Sequence, residues 1–394
     1  MRELCVIMPD FGRAYARHFP TKDVSHGEPL PRTPVGCEQL DSQRDGMFAD
    51  MVMATPEFTP LALLRLLDGF RGTKALTAAV RLGVFDLLAS EGTLSALACA
   101  QRLKLEERPA RMLLTACTAL GLLDFDGYGF ANSSSADEFL VRSRPLYFGD
   151  FVLLVDEEQY QPWGDLVAAL QENRPVVWAP QAEKRFPADR ADIEPLFWNG
   201  MSSVSAFTAH AVSRSFDFSG FRSLLDVGGG RGDFSIELCM HQPRLRATVY
   251  DLPSVCRLTE RKVAASGLSD RIGAQAGDLL LDDELPAGHD LILLSNVLHM
   301  WDEATVVKAL RKCLTALNDG GALVVAEAFV DDDGTGPVGA ALMSLNMLVH
   351  TAGGRNYTRR EYEAWLTAAG FSAICRVPLI VDAPGANGLV IGRK

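Results

Sequence analysis

The chain has 394 residues, 48% of them hydrophobic and 22% charged, and this length predicts two domains rather than one core. Its formal net charge of −12 argues against nucleic-acid binding, which needs basic patches to neutralise phosphates, and against docking on anionic lipid. No apolar run reaches the roughly 18 residues of a membrane-spanning helix, and the eight cysteines are scattered without a Cys-x-x-Cys pair, so we expect a cytoplasmic protein without a bound metal.

Residues 1–55 form the first segment, and they lack a regular pattern. The stretch "HGEPLPRTPVG" contains prolines and glycines, which interrupt helices and strands. We therefore expect this segment to be an extension that is poorly ordered or that lies along a partner.

A helical pattern begins at Thr59. Apolar residues such as Leu63, Leu67 and Phe70 recur at spacings of three and four, which is the period of an α-helix. The apolar positions cover more than one face of each helix up to residue 90. We expect these helices to pack against something larger than their own domain, such as a second subunit.

Residues 93–131 predict two helices and a β-hairpin, which is the outline of a winged helix. Thr93 is placed to cap the first helix, Pro109 suits the first turn of the second, and Asp126-Gly127 is a strong hairpin signal. Two interpretations remain open, a DNA-binding module and a structural or dimerising one. The acidic composition favours the second.

From Phe221 onward, short apolar strands alternate with helices. The strands are expected in "RSLLDVGG", "RATVYDLP", "RIGAQAGDL", "HDLILLSN" and "GALVVAEAF". This rhythm predicts an α/β fold with an open, mostly parallel sheet. The last two strands, "ICRVPLIV" and "NGLVIGR", are joined by a linker too short for a crossover helix, so we expect them to pair antiparallel at the sheet edge.

A glycine-rich turn follows the first of these strands, in "LLDVGGGRGDF". Gly228, Gly230 and Gly232 allow the backbone to turn sharply and to approach a ligand closely. Asp233 stands where the dinucleotide-binding spacing needs a glycine, and the Gly-Lys-Ser/Thr of a P-loop is absent. A tight turn without a ligand is the alternative interpretation.

Acidic residues at the ends of the next strands indicate which nucleotide the turn holds. Asp251 is placed to accept hydrogen bonds from both ribose hydroxyls. Asp278 could accept from an adenine amino group while Leu279 packs on the ring. Arg231 is the only cation in the turn, which disfavours a pyrophosphate. An adenosine ligand without phosphates fits best, and we predict S-adenosylmethionine.

Six motifs, in this order and spacing, resemble one known family: "LLDVGGGRGDF", "YDLP", "AGDLL", "VLHMWDE", "VVAEAF" and "HTAGGRNYT". It is the plant and bacterial class of S-adenosylmethionine-dependent small-molecule O-methyltransferases, to which acetylserotonin and caffeic acid methyltransferases belong. The resemblance covers residues 59–394. It implies a C-terminal Rossmann-like methyltransferase sheet with an antiparallel terminal hairpin, a mostly helical N-terminal winged-helix dimerisation domain, and a homodimer. The domains expected are 1–55, 56–215 and 216–394.

The resemblance also implies the chemistry of the site. His299 follows a buried strand and therefore lies at the carboxyl edge of the sheet, where open α/β sheets bind ligands. It matches the family's catalytic base, and Glu327 matches the carboxylate that orients it. Two departures remove carboxylates from the site: Met300 stands where most relatives have Asp, and Asn356 where many have Glu. Glu327 is then the only acid expected beside the base.

The other expected site residues fall into two groups. The cofactor-binding residues are Gly228, Gly230, Gly232, Asp251, Leu252, Asp278, Leu279 and Ser295. The substrate-binding residues are Met201, Met300, Met343, Asn346, Met347 and His350.

The predicted reaction is methyl transfer from S-adenosylmethionine to a phenol or enol hydroxyl of an aromatic metabolite, with S-adenosylhomocysteine as the product, in secondary metabolism such as antibiotic biosynthesis. Two alternatives stay open. One is methylation of an activated carbon with the same base. The other is a methyltransferase fold with altered chemistry or a regulatory role.

Overall fold

The computed structural model describes residues 60–177 and 194–394. The expectation for residues 1–55 lies outside the described residues. The described chain divides into two compact units, one made of residues 60–79 and 93–133 and the other of residues 80–92 and the described residues from 134 onward. The domain limits expected from the sequence stay predictions.

The helices of the described chain are numbered here in chain order. They are α1 (Leu61–Leu82), α2 (Val84–Glu91), α3 (Ala96–Leu103), α4 (Glu107–Ala119), α5 (Ser134–Phe139), α6 (Gly149–Leu154), α7 (Leu166–Glu172), α8 (Glu194–Ser215), α9 (Asp233–His241), α10 (Pro253–Ala265), α11 (Glu303–Ala316), α12 (Val338–His350) and α13 (Arg359–Ala369). One π-helical turn and two short 3-10 turns complete the helical elements of the site region, at Val155–Gln159, Pro162–Asp165 and Leu298–Met300.

The strands are β1 (Leu123–Phe125), β2 (Phe130–Asn132), β3 (Ser223–Val227), β4 (Arg246–Asp251), β5 (Ile272–Ala276), β6 (His289–Ser295), β7 (Leu317–Glu327), β8 (Ser372–Pro378) and β9 (Gly388–Arg393). Strands β1 and β2 form the predicted antiparallel hairpin. Asp126 closes its turn, because its carboxylate accepts hydrogen bonds from the backbone amides of Tyr128 and Gly129.

The cap predicted at Thr93 is wrong by two residues. Ser95 caps α3, with its hydroxyl oxygen accepting from the amide of Ala98 at 3.2 Å. The helix cannot begin earlier, because Leu94 still pairs with Phe130 of the hairpin in a β-bridge. A residue held in this extended pairing leaves the next residue, Ser95, as the helix cap.

The other seven strands form one sheet in the order β5-β4-β3-β6-β7-β9-β8. Neighbours from β5 to β7 run parallel, while β9 pairs antiparallel with both β7 and β8. This confirms the predicted parallel sheet and its antiparallel terminal pair. Helices cover both faces, which is why the central strands are continuous apolar runs rather than alternating ones.

Side chains that alternate along the central strands supply two cores, one on each face. Leu225 and Ile292 face the core that includes α11 and α13. Leu224 and Leu291 face the opposite core, to which α8, α9 and α10 contribute. These positions are fully buried, so helices pack against both faces of the central strands.

The chain reverses its direction of winding at β3, because β4 lies on one side of β3 and β6 on the other. The carboxyl ends of such strands flank a crevice, and ligands of open α/β sheets bind there. We therefore expect the site at the loops that leave β3, β4, β6 and β7.

Candidate active site

The glycine-rich loop connects β3 to α9, and its backbone explains its composition. Gly228, Gly230 and Gly232 have φ of +66°, +57° and +82°, a region that residues with a Cβ rarely adopt. A Cβ on Gly228 would also stand 2.7 Å from Cγ2 of Val297, which follows β6. The loop therefore passes against the β6 side of the crevice at a distance that only glycine permits.

Asp251, the last residue of β4, holds this loop. One carboxylate oxygen accepts from the amide of Gly230 at 2.8 Å, and the other accepts from the amide of Leu252 at 2.7 Å. Burial raises the pKa of this carboxyl above its ordinary value, and the two amide hydrogen bonds oppose the rise. Each oxygen retains a lone pair, so Asp251 can still accept from the two hydroxyls of a ribose.

The residues after β5 form a compact turn. Asp278 accepts from the amides of Leu280 and Leu281 at 2.8 and 3.3 Å, and Leu279 is buried in the hydrophobic core that also contains Tyr250. Leu252 begins α10 as its N-cap, and Ser295 ends β6.

S-adenosylmethionine fits this arrangement of glycine loop and accepting carboxylate. Arg231 is the only cation in the loop, which suits a ligand without phosphates. Gly228, Gly230 and Asp251 would hold its adenosine and sulfur-bearing end at the crevice. This fit rests on the positive φ angles and on the free acceptor capacity of Asp251.

His299 lies on the 3-10 turn after β6, and Glu327 is the last residue of β7. Nδ1 of His299 is 2.6 Å from Oε2 of Glu327. The second oxygen, Oε1, accepts from the amides of Val297 and Leu298, both at 3.0 Å. The carboxylate is only 2% exposed, so three protein donors satisfy it almost without water.

The protonation of His299 reflects two opposing effects. Burial disfavours the charged imidazolium, but the negative charge of Glu327 and its hydrogen bond outweigh burial and raise the pKa of His299 above its ordinary value. Because a carboxylate can only accept, Nδ1 carries the proton of a neutral ring. Nε2 then has a lone pair that can receive a proton.

Met300 and Asn356, the two positions where the resemblance leads us to expect an acid, are at least partly buried. Met300 is partly buried and packs against the core that includes α11. Asn356 is buried; its amide nitrogen Nδ2 donates to the carbonyl of Ala328 at 2.7 Å, and its Oδ1 has no protein partner among the described residues. The buried Oδ1 of Asn356 is therefore a neutral acceptor at a position where the resemblance implies a carboxylate.

The structure brings four of the predicted substrate residues together on α12, namely Met343, Asn346, Met347 and His350. Nδ2 of Asn346 lies 3.7 Å from Sδ of Met343, and its Oδ1 accepts from the indole of Trp163 at 2.9 Å. The ring of His350 reaches the carbonyls of Asn346 and Glu158 at 2.9 and 3.4 Å. Met201 lies on α8 and is partly buried.

Sequence reasoning missed a buried acid beneath the loop. Asp226 of β3 is 1% exposed and accepts from the hydroxyl of Ser235 at 2.8 Å. Burial raises the pKa of its carboxyl to about 7. A Cβ on Gly229 would collide with that carboxylate. The signal was an acid inside the apolar run "LLDVGG", two residues before the first loop glycine.

A second missed group ties α8 and α10 to the glycine loop. Lys262 forms an ion pair with Asp233 and donates to the hydroxyl of Ser202 at 2.8 Å. That hydroxyl in turn donates to Asp233 at 2.8 Å. The pattern had no sequence signal, since the three residues come from separate helices.

Gly354 was also missed, although the motif "HTAGGRN" contains it. A Cβ at this position would collide with the carbonyl oxygen of His299 and with the hydroxyl of Thr351. The glycine therefore lets the segment before Asn356 pass directly against the backbone of the histidine.

Two further findings concern the described residues as a whole. No helix within residues 60–177 and 194–394 is long and apolar enough to cross a membrane. In the same part of the chain, no cluster of three or more His, Cys, Asp or Glu side chains is arranged to hold a metal ion.

Comparison with known families agrees with this geometry. Residues 163–372 match the O-methyltransferase domain, and residues 64–142 match the O-methyltransferase dimerisation domain. The chain therefore belongs to the family of S-adenosylmethionine-dependent O-methyltransferases, and S-adenosylmethionine is its cofactor.

Three similar proteins illustrate the range of the family. The chain is 44% identical over 335 residues to the 3-hydroxy-5-methyl-1-naphthoate 3-O-methyltransferase of Streptomyces sahachiroi, covering 85% of this chain and 95% of that one. It is 32% identical over 338 residues to the tetracenomycin polyketide synthesis 8-O-methyl transferase of Streptomyces glaucescens, covering 85% and 97%. The crystal structure of human N-acetylserotonin methyltransferase in complex with S-adenosylmethionine matches with a TM-score of 0.76 and 27% identity, covering 87% and 99%.

Proposed function

We propose that this enzyme methylates a hydroxyl of an aromatic small molecule, a phenol or an enol, with His299 as general base. The observation that carries the proposal is the contact of 2.6 Å between Nδ1 of His299 and Oε2 of Glu327. It leaves Nε2 as the ring atom able to take a proton. The pair stands at the sheet edge beside the glycine loop that contacts Val297.

The chain contributes a base, its orientation and its charge balance. Nε2 of His299 takes the proton of the acceptor hydroxyl as its oxygen forms the bond to the methyl carbon. Glu327 stabilises the imidazolium that results, and the amides of Val297 and Leu298 keep the carboxylate in place. Bound S-adenosylmethionine supplies a methyl group on a positively charged sulfur, which keeps the electrons of the broken bond. Alignment of oxygen, carbon and sulfur provides much of the acceleration.

The aromatic acceptor is supported by the side chains on α12. Met343 and Met347 are adaptable apolar groups suited to flat rings, and Asn346 and His350 add hydrogen-bonding groups. The relative from Streptomyces sahachiroi is named for a hydroxylated naphthoate and shares 44% identity. We therefore place a hydroxynaphthoate or a similar fused-ring phenol first among the candidate acceptors.

Two alternatives predict different results with the same reagents. Methylation of an activated carbon would use His299 in the same way but would yield a product whose methyl group is attached to carbon. A regulatory protein that acts through its hairpin and helices would retain DNA at physiological salt and transfer no methyl group. The buried His299–Glu327 pair favours catalysis over the second alternative.

The active form is proposed to be a homodimer in which a winged-helix module serves dimerisation. The matched dimerisation domain spans residues 64–142. Large apolar side chains of α1 are exposed in the single chain, and Leu66 is 78% exposed. Such a stripe is typical of a subunit interface.

The proposed reaction is tested with labelled S-adenosylmethionine and a panel of hydroxynaphthoates, simple phenols and enols. The mass of the product shows whether a methyl group was transferred. The carbon chemical shift of that methyl group in the NMR spectrum shows whether it is attached to oxygen or to carbon. An O-methyl product from at least one fused-ring phenol is expected. A C-methyl product from every accepted compound would replace the proposal with the carbon alternative.

A further inference from the structure

Arg231, between Gly230 and Gly232 in the loop, has an unused buried donor. Its Nη1 donates to Oδ1 of Asn199 at 2.5 Å. Its Nε is buried and has no hydrogen-bond partner within the described residues. A buried donor of a cationic group is costly to leave unpaired, so this atom indicates the position of an acceptor that comes with a ligand.

The guanidinium is held in place from the opposite side. Asn199 of α8 contacts Arg231 and also hydrogen bonds Asp150 of α6. Burial raises the pKa of the Asp150 carboxyl, and Arg142, Asn199 and Arg231 oppose the rise. Asp150, Asn199 and Arg231 thus form a chain that restrains the guanidinium before any ligand arrives, which favours binding by reducing the entropy lost.

Strand order indicates which end of the cofactor lies at this loop. Asp251 ends β4, the residue proposed as base follows β6, and the glycine loop leaves β3 between them. The cofactor sulfur bears three groups: the adenosine, the reactive methyl and the amino-acid chain. With adenosine directed to β4 and the methyl toward β6, the amino-acid end remains over the loop of β3.

The charges around the loop indicate which residue would pair with the carboxylate of the amino-acid end. Three carboxylates, Asp226, Asp233 and Asp251, surround the loop. The nearby ammonium of Lys262 is already engaged by Asp233. A ligand carboxylate placed among these acids needs a cation, and Arg231 is the cation of the loop itself.

We propose that Nε of Arg231 donates a hydrogen bond to the carboxylate of the amino-acid end of S-adenosylmethionine. Arg231 is then a specificity residue that distinguishes the full cofactor from adenosine derivatives that lack the amino acid. The inference rests on the proposed function, because the position of His299 sets the direction of the methyl group. Its test measures binding alone, so failure of the Arg231 contact and failure of the proposed reaction give different results.

The test compares two ligands by calorimetry, without any turnover. S-adenosylhomocysteine carries the amino-acid end, whereas 5′-methylthioadenosine has the same adenosine and a thioether but no amino acid. In Arg231→Met, affinity for S-adenosylhomocysteine should fall roughly ten- to a hundred-fold, the range for loss of a charge-assisted hydrogen bond. Affinity for 5′-methylthioadenosine should stay within about threefold.

Two further variants control the result. Arg257→Met removes an equal charge from an exposed position on α10 and should change neither affinity. Arg231→Lys keeps the charge without the guanidinium, and it should show the same ligand selectivity with a smaller loss. Equal losses for both ligands in the two Arg231 variants would mean that Arg231 only shapes the loop, and no loss for either would mean no contact. Either result overturns the proposal.

Discussion

The carboxylate of Glu327 is shared between the ring of His299 and two backbone amides. Oε2 is 2.6 Å from Nδ1 of the histidine, while Oε1 accepts from Val297 and Leu298, the residues just before that histidine in the chain. The same carboxylate therefore sets the position of the turn that carries His299 and the tautomer of its ring. An acid with this double role cannot be replaced by its amide without consequence.

Glu327→Gln should lower the rate of methyl transfer by roughly 10²–10⁴-fold. The side-chain oxygen of the glutamine will keep the hydrogen bonds from the backbone N–H groups of Val297 and Leu298, because these groups can only donate. The amide NH₂ then faces Nδ1 of His299, so Nδ1 must accept and Nε2 carries the proton. A ring in that tautomer cannot act as base. Single-turnover rates at saturating cofactor measure the effect.

Cofactor affinity serves as the control for this variant. It should remain within about threefold of the unaltered protein, since Glu327 is not expected to touch the adenosine. A Gln variant with an unchanged rate would remove Glu327 from the mechanism.

Met300→Asp should move the pH dependence of the rate upward. The pKa of His299 is already above its ordinary value, and a second carboxylate nearby favours the imidazolium further. The base is the neutral ring, so the rate rises as pH passes through the pKa of His299, and a higher pKa shifts that rise to higher pH. Rate-versus-pH profiles measure the shift.

The matched control is Met300→Asn, because asparagine has nearly the same size and polarity as aspartate but carries no charge. Its profile should stay where that of the unaltered protein lies. Identical shifts in the Asp and Asn variants would show that packing of residue 300, rather than charge, controls the histidine.

The sequence predicted those parts of the fold and site that depend on local pattern. Strand, glycine loop and helix were visible in "LLDVGGGRGDF". The alternation of strands and helices predicted the parallel sheet, and the short last linker predicted its antiparallel end. The contact between His299 and Glu327 was expected from the family resemblance, and the structure places the two residues at the same edge of the sheet. The family resemblance supplied their roles, which remain proposals.

What the sequence could not provide are contacts between distant segments. The hydrogen bond from Trp163 to Asn346 joins residues 183 positions apart, and the ion pair of Lys262 with Asp233 depends on how two helices pack. The cap of α3 was misplaced because the bridge of Leu94 to the hairpin is not a local feature. Side-chain pairing of this kind is set by tertiary packing rather than by propensity.

Asp251→Ala should weaken binding of both adenosine ligands. The variant loses the acceptor for the ribose and frees the amide of Gly230, which now points at Asp251. A loss of roughly ten- to a hundred-fold is expected for S-adenosylhomocysteine and for 5′-methylthioadenosine alike. Calorimetry on the folded variant would count against the ribose contact if only one ligand, or neither, bound more weakly.

Leu66→Glu should convert the proposed dimer into single chains. Leu66 lies on α1 and is 78% exposed in one chain, and a buried charge at an interface is strongly unfavourable. One chain has a mass of 42.8 kDa. Light scattering should give twice this mass for the unaltered protein and this mass for the variant. Met240→Glu, at an exposed position on α9, is the control and should remain dimeric.

The most direct measurement of the proposed mechanism is the single-turnover rate of His299→Ala with an identified phenol, at a pH below that phenol's own pKa. His299 is 9% exposed and its neutral Nε2 is the proposed proton acceptor. We expect a rate lower by roughly 10²–10⁴-fold, with affinity for S-adenosylmethionine within about threefold of that of the unaltered protein. A variant that keeps the full rate under these conditions would show that His299 is not the base and would leave alignment alone as the source of catalysis.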